Sequence, residues 1–143
     1  MPNKKIIEGL QAEFNDALEV SNDGSYDILT IEKGQLHALC ENLKKDGFNY
    51  LANLTAVDYE DRFEVVYHIH SVPENRKIAV KTIIDYGNPE VSTVIDIWRT
   101  ADWQEREVYD LLGIKFAGHP NLIRILLPYD YEAHPLRKDF KLK

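Results

Sequence analysis

The sequence predicts an α+β fold, with a largely antiparallel or mixed sheet, helices packed on one face, and an extended irregular C-terminal tail. Three features of the pattern predict it. Apolar residues recur at helical spacing early in the chain, and at strand spacing through its middle. After Gly113 the periodicity is lost while apolar residues continue. Helix, strand, helix and then a run of strands is the order of a sheet with helices on one side. Residues 1–118 are expected to form this domain, ending in the helix that carries Glu105-Arg106-Glu107, and residues 119–143 a tail that docks on a partner.

Each element has its own signal. Ile6, Ile7, Leu10, Phe14 and Leu18 fall on one face of an opening helix. Ser21-Asn22-Asp23-Gly24-Ser25 is a turn, because these residues accept left-handed or locally hydrogen-bonded backbone. Tyr26 to Ile31 reads as a short strand. Leu36, Leu39, Cys40 and Leu43 mark a second helix with Gly47 as its left-handed cap. Leu51 to Val57 is expected to be a strand preceding a hairpin. Phe63, Val65, Tyr67 and Ile69 alternate with more polar neighbours, and Ile78, Val80, Thr82 and Ile84 repeat the alternation. Val91 to Trp98 reads as a further strand. Thr100 is placed as the N-cap of a helix from Ala101 to Leu112, and Gly113 as its stop. On that helix Asp102, Arg106 and Asp110 are spaced to pair, with Val108, Leu111 and Leu112 inward and Ala101 and Gln104 behind them.

Composition narrows the function classes. With 143 residues the chain has one domain's worth of sequence, enough to bury a core without metal or disulfide staples. A net charge of −7 argues against general nucleic-acid binding, which needs a basic face. One cysteine, Cys40, can neither form an internal disulfide nor hold a cysteine-ligated cluster alone, and it reads as a small buried residue. The N-terminus has charges where a signal peptide would be apolar. The longest stretch without Asp, Glu, Lys or Arg, Gly47 to Val57, is far short of the roughly 20 residues of a membrane span.

The usual catalytic patterns are absent: there is no Gly-rich phosphate loop, Cys-x-x-Cys, His-Glu-x-x-His or Gly-x-Ser-x-Gly. His68 and His70 share a strand face but leave a zinc site short of ligands. Glu105 and Glu107 diverge by roughly 200° around a helix and are no acid/base pair. The dense polar set comes at the end: Glu105, Arg106, Glu107, Asp110, His119, Arg124, Glu132, His134, Arg137, Lys138 and Asp139. It is interleaved with Pro120, Pro128, Pro135 and the apolar run Leu122, Ile123, Ile125, Leu126, Leu127 and Leu136. Polar groups among so much apolar chain must find partners or bear a desolvation cost of several kcal/mol. An arm that becomes ordered against a neighbouring protein satisfies both requirements.

The run from Trp98 to Pro120, containing Trp103-Gln104-Glu105-Arg106-Glu107-Val108-Tyr109-Asp110-Leu111-Leu112-Gly113, is a specific string. With Arg124-Ile125-Leu126-Leu127-Pro128 and His134-Pro135-Leu136-Arg137-Lys138-Asp139-Phe140, it resembles the C subunit of NADH-quinone oxidoreductase, the Glu-Arg-Glu subunit family of respiratory complex I. Weaker echoes lie upstream, in Leu54-Thr55-Ala56-Val57-Asp58-Tyr59 and Val65-Val66-Tyr67-His68. The resemblance implies a subunit without cofactor or catalytic residue of its own, in the peripheral arm of a proton-pumping complex. Iron–sulfur clusters and quinone are implied in its partners, subunits D, B and I. It implies a peripheral place at the cell membrane, on the cytoplasmic side, or on the matrix side in an organelle. Glu105, Arg106, Glu107, Asp110, His119, Pro120, Arg124, His134, Pro135, Arg137, Lys138 and Asp139 carry over as structural and partner-docking residues. Ile123, Tyr131, Ala133 and Lys141 depart from the family's usual residue types. A homologous subunit of membrane-bound hydrogenases or formate hydrogenlyase is the alternative reading, and a free-standing enzyme using His119 or His134 the remote one.

Overall fold

The computed structural model describes residues 3–120 together with Leu122, His134 and Arg137. Its first element, α1 (Lys4–Phe14), buries Ile7, Leu10 and Phe14. The opening helix is shorter than its apolar spacing predicts. Asn15, at φ 48°, breaks the helix, and after one 3-10 turn Leu18 begins a strand, β1 (Leu18–Asn22). Leu18 is buried in both readings, so its spacing alone does not separate them. The predicted turn then tightens to Asp23–Ser25, where the Asp23 carboxylate accepts from the Ser25 and Tyr26 amides at 2.9 and 2.7 Å. Those donors hold the Asp23 pKa below its ordinary value.

The next elements follow the sequence closely: β2 (Asp27–Ile31), α2 (Leu36–Lys45), β3 (Tyr50–Asp58), β4 (Arg62–Ser71) and β5 (Arg76–Asp85). α2 ends as its glycine foretells. Gly47 stands at φ 99°, and the Gly47 and Phe48 amides donate to the Lys44 and Leu43 carbonyls. The five strands form one sheet in the order β1-β2-β5-β4-β3. All neighbours are antiparallel except β2 and β5, which are parallel. A parallel pair needs a crossover connection, and α2 lies in the chain between those two strands.

Register fixes which side chains face the helices. Phe63, Val65, Tyr67 and Ile69 of β4 point one way and join a single core with Leu54, Ile78, Val80, Leu29 and Ile31. Leu36, Leu39, Cys40 and Leu43 of α2 complete it, with Ile7, Leu10 and Phe14 of α1. Helices therefore cover one sheet face. On the other, Val57, Glu64 and Ile83 form one cross-strand row and Thr55, Val66, Lys81 and Thr30 the next. Tyr26 lies over that face, its ring centre 4.7 Å from that of His68 with the planes tilted by 46°, and its hydroxyl is hydrogen-bonded to His70 Nε2 at 2.8 Å. Burial there lowers both histidine pKa values.

A small second sheet follows. The predicted strand from Val91 to Trp98 is real only as β6 (Glu90–Ser92). Beyond it the Ile97 and Trp98 amides both donate to the Val94 carbonyl at 2.9 Å, which folds the segment into a turn. Then comes α3 (Ala101–Leu112), with the predicted bounds, and β7 (Lys115–Ala117), which pairs in parallel with β6. β7 has no counterpart among the predicted elements, because three residues are too few for an alternating pattern. Thus β6, α3 and β7 form a βαβ unit in which α3 is the crossover. Trp98 ties this unit to the loop that leads from α2 into β3: its indole Nε1 donates to the Phe48 carbonyl at 2.9 Å.

Candidate functional site

The polar residues singled out by sequence gather on α3, and the helix sorts them by face. Ala101, Glu105, Val108 and Leu112 are buried along one stripe, at spacings of four, three and four residues. Glu105 is therefore an interior residue with no solvent exposure. Its Oε2 accepts from the Val94 amide at 2.9 Å, and its Oε1 takes a very short hydrogen bond from the Thr93 hydroxyl. Thr93 Oγ1 in turn accepts from the Ile95 amide at 3.1 Å. Glu105 thus fixes the turn after β6 onto the helix. Burial raises its pKa to about 7; the Thr93 and Val94 bonds oppose the rise, and Asp102 and Asp96 add to it.

The outward face is held by its own residues. Trp103 is 55% exposed. Its Nε1 donates to Glu107 Oε1 at 3.0 Å, and the Arg106 guanidinium lies 5.6 Å from its ring centre. Two charged neighbours thus hold the exposed indole in place. The structure gives Thr100 and Asp102 other partners than the sequence suggests. Thr100 is helical in conformation and caps nothing; its hydroxyl donates to the Leu51 carbonyl at 3.4 Å. Asp102 Oδ1 lies 3.0 Å from His119 Nε2, and the His119 imidazole has no exposed surface. Pro120 is exposed, and Leu122 packs against the core.

At the end of α3, Asp110 is fully buried and Gly113 stops the helix at φ 77°, its amide donating to the Tyr109 carbonyl at 2.9 Å. His134 lies against this terminus. Its Nδ1 is 3.0 Å from the Asp110 carbonyl and its ring 5.8 Å from that of Tyr109. The Arg137 amide donates to the His134 carbonyl at 3.1 Å. The Arg137 guanidinium then sits 4.5 Å from the Tyr86 ring centre and 5.2 Å from that of Phe63. Those two rings stack at 4.7 Å with planes 14° apart, and Tyr86 Oη donates to Asp58 Oδ2 at 3.0 Å.

The structure therefore brings Glu105, Arg106, Glu107, Asp110, His119 and His134 onto or beside one helix, and places Arg137 over Phe63 and Tyr86. Arg124, Pro135, Lys138 and Asp139 lie outside the described residues. Sequence reasoning does not find Asp58, Phe63 and Tyr86 as the seat of Arg137, or Thr93 as the partner of Glu105. Asp58 stands out in the sequence only through the upstream family resemblance, and nothing in the spacing links residues so far apart. Buried Glu105 has a legible signal, its place on the apolar stripe between Ala101 and Val108. Chemically, the cluster offers hydrogen bonds, stacking and an anchor. Among the described residues no three His, Cys, Asp or Glu side chains converge as metal ligands. Cys40 is fully buried, and burial pushes its thiol pKa upward.

Residues 29–143 match the family described as "Respiratory-chain NADH dehydrogenase, 30 Kd subunit". The C subunit of NADH-quinone oxidoreductase from Moorella thermoacetica is 50% identical, over 96% of this chain and 95% of that protein. Its counterpart from Geotalea uraniireducens is 39% identical over 99% and 88% of the two chains. Among solved structures, the trypsin-resistant fragment (1-134) of Nqo5 superposes with a TM-score of 0.76 at 30% identity, covering 85% of this chain and all of that one. A chain of the membrane-bound sulfane sulfur reductase, an archaeal respiratory membrane complex, superposes with a TM-score of 0.84 at 26% identity, over 99% and 87%. The chain thus belongs to the 30-kDa subunit family of respiratory-chain NADH dehydrogenase, as a subunit of the NADH-quinone oxidoreductase type.

Proposed function

We propose that this chain is a non-catalytic peripheral-arm subunit of a proton-pumping NADH-quinone oxidoreductase, and that it structures the interface between the quinone-site and iron–sulfur subunits. The observation that carries the reading is the outward face of α3, where half-exposed Trp103 is pinned by Arg106 and Glu107. A large aromatic side chain held rigid loses little entropy on being covered, so it suits a permanent contact. The partners in this reading are the complex's subunits D, B and I. Iron–sulfur clusters and quinone belong to them, and this chain carries neither cofactor nor catalytic residue. No helix of the described residues is long and apolar enough to cross a membrane. Attachment in this reading is peripheral, through the complex, on the cytoplasmic side or the matrix side of an organelle.

In this role the chain acts on electron transfer by placing other subunits. Where reacting groups must be aligned, an error of about 1 Å is costly, so a scaffold residue far from the chemistry still changes the rate. Arg106, Glu107, Pro120, Arg124, Pro135, Lys138 and Asp139 are the proposed contact residues, and Glu105, Asp110, His119, His134 and Arg137 support them from within. The likeness to a chain of the sulfane sulfur reductase favours a second reading, a homologous subunit in another respiratory membrane complex. A hydrogenase or formate hydrogenlyase type complex is of that kind.

Affinity purification of the tagged chain from mildly solubilised membranes separates the two. The first reading expects a homologue of the quinone-site subunit to copurify with the two iron–sulfur subunits. Recovery of a nickel–iron hydrogenase large subunit in its place moves the assignment to the second, and recovery of the chain alone contradicts both.

A further inference from the structure

We propose that the groove beside the free margin of β5 is a docking site for an extended, basic segment of a partner protein. It stands apart from the outward face of α3 and does not depend on that face making contact. The groove exists because two neighbouring strands part. The pairing of β2 with β5 ends at Thr30 and Lys81, while β5 runs on to Asp85 against β4. From Thr82 to Asp85, β5 therefore has no strand on its other side among the described residues. An open groove of about 600 Å³ takes that strand's place.

Two segments build the side facing β5. One is the 3-10 turn leading into β1, with Asp16, Ala17 and Glu19; the other is the chain leaving β2, with Glu32 and Lys33. The Glu32 amide donates to the Ala17 carbonyl at 3.2 Å and fastens the two together. On β5 itself Ile83, 48% exposed, offers an apolar contact. A strand margin without a neighbour presents N–H and C=O groups that an extended segment can pair with. The groove is therefore shaped for main chain as well as for side chains.

The rim fixes the sign of the occupant. Asp16, Glu19, Glu32 and Asp85 are exposed around the groove, against one cation, Lys33. None of the four carboxylates has a side-chain partner among the described residues. Asp61, Glu64 and Glu74, by contrast, are each paired with a cationic side chain. Cations at the facing register positions are engaged away from the groove: Lys81, opposite Thr30, with Glu64 at 3.6 Å, and Arg62, opposite Asp85, with Asp61 at 2.8 Å. Like charges gathered without counter-charges repel one another. Lysine or arginine on an incoming segment relieves that repulsion and speeds the encounter. Main-chain pairing along β5 then supplies affinity, and the rim selects the side chains.

Fluorescence anisotropy of a labelled peptide of alternating lysine and valine, titrated with the full chain, tests the site. The chain should bind this peptide and leave a glutamate–valine counterpart unbound. Glu19→Gln with Asp85→Asn should weaken binding roughly tenfold. Glu8→Gln with Glu90→Gln makes the same change of net charge at exposed positions outside the groove, and should weaken it by less than about twofold. A peptide N-methylated at alternate residues, which keeps the charges and removes main-chain donors, should also bind less tightly. Equal weakening by the two pairs of substitutions, or no binding by the wild type, overturns the proposal. So does a groove pair that changes only the chain's own oligomeric state in sedimentation, which makes a second copy the occupant.

Discussion

Glu105 shows at the scale of one residue what burial does to a charge. Its carboxyl has no exposed surface, and its pKa rises to about 7 from 4.5. The folded state therefore binds a proton more tightly than the unfolded chain does. The sign follows directly: this group's contribution is full below about pH 4.5 and is lost as pH climbs through about 7, at a cost of about 3 kcal/mol once it ionises. Denaturant midpoints of the wild type should fall between pH 5 and pH 8, while Glu105→Gln, neutral throughout, should show a flatter profile. An equally steep fall in the variant would mean that another group is responsible. Tyr67 makes the complementary case. Its hydroxyl is buried with no hydrogen-bond partner among the described residues, and burial raises its pKa. Tyr67→Phe should therefore be neutral or stabilising, by about 1 kcal/mol in urea unfolding, because an unmade buried hydrogen bond is removed. Residues of this kind are legible in sequence only as positions. The stripe from Ala101 to Val108 marks Glu105 as inward, but Thr93, the group that makes it tolerable there, carries no signal of its own.

At the scale of the element, α3 and its stop are readable from end to end. Helical spacing sets the bounds Ala101–Leu112, and a glycine follows where a left-handed residue ends a helix. Gly113→Ala should destabilise by about 1–2 kcal/mol from backbone strain alone. The close approach of His134 should add to that cost. The double variant Gly113→Ala with His134→Ala should then cost less than the two single losses added, and strict additivity in thermal melts would deny the contact. The opening helix and the strand at Val91 depart from their predicted extents for one reason. Period alone cannot locate an end when the break depends on a left-handed Asn15 or on a turn closed by Val94 and Glu105. Short β7 fails the other way, for three residues carry too little alternation to stand out. Its pairing comes from β6, more than twenty residues earlier, and no local pattern reports it.

At the scale of the whole molecule, the fold places a one-sided sheet beneath three helices and appends a βαβ unit whose crossover helix carries the motif. The sheet class and the one-sided helix layer can be read from alternation, because Phe63 to Ile69 and Ile78 to Ile84 each sort cleanly into two faces. The seat of Arg137 cannot. It joins Asp58, Phe63 and Tyr86 by tertiary packing, and only the three-dimensional structure brings them under residue 137. The proposed account is that the body folds by itself and that the outward face of α3 attaches it together with the segment after Gly118. The most direct test is affinity purification with the full chain against one ended after Gly118, each checked for a cooperative thermal transition. The account predicts that both fold, with the shortened form less stable, and that the full chain recovers the other subunits in clearly higher yield. A shortened chain that folds and still brings down the complex in full yield would contradict it.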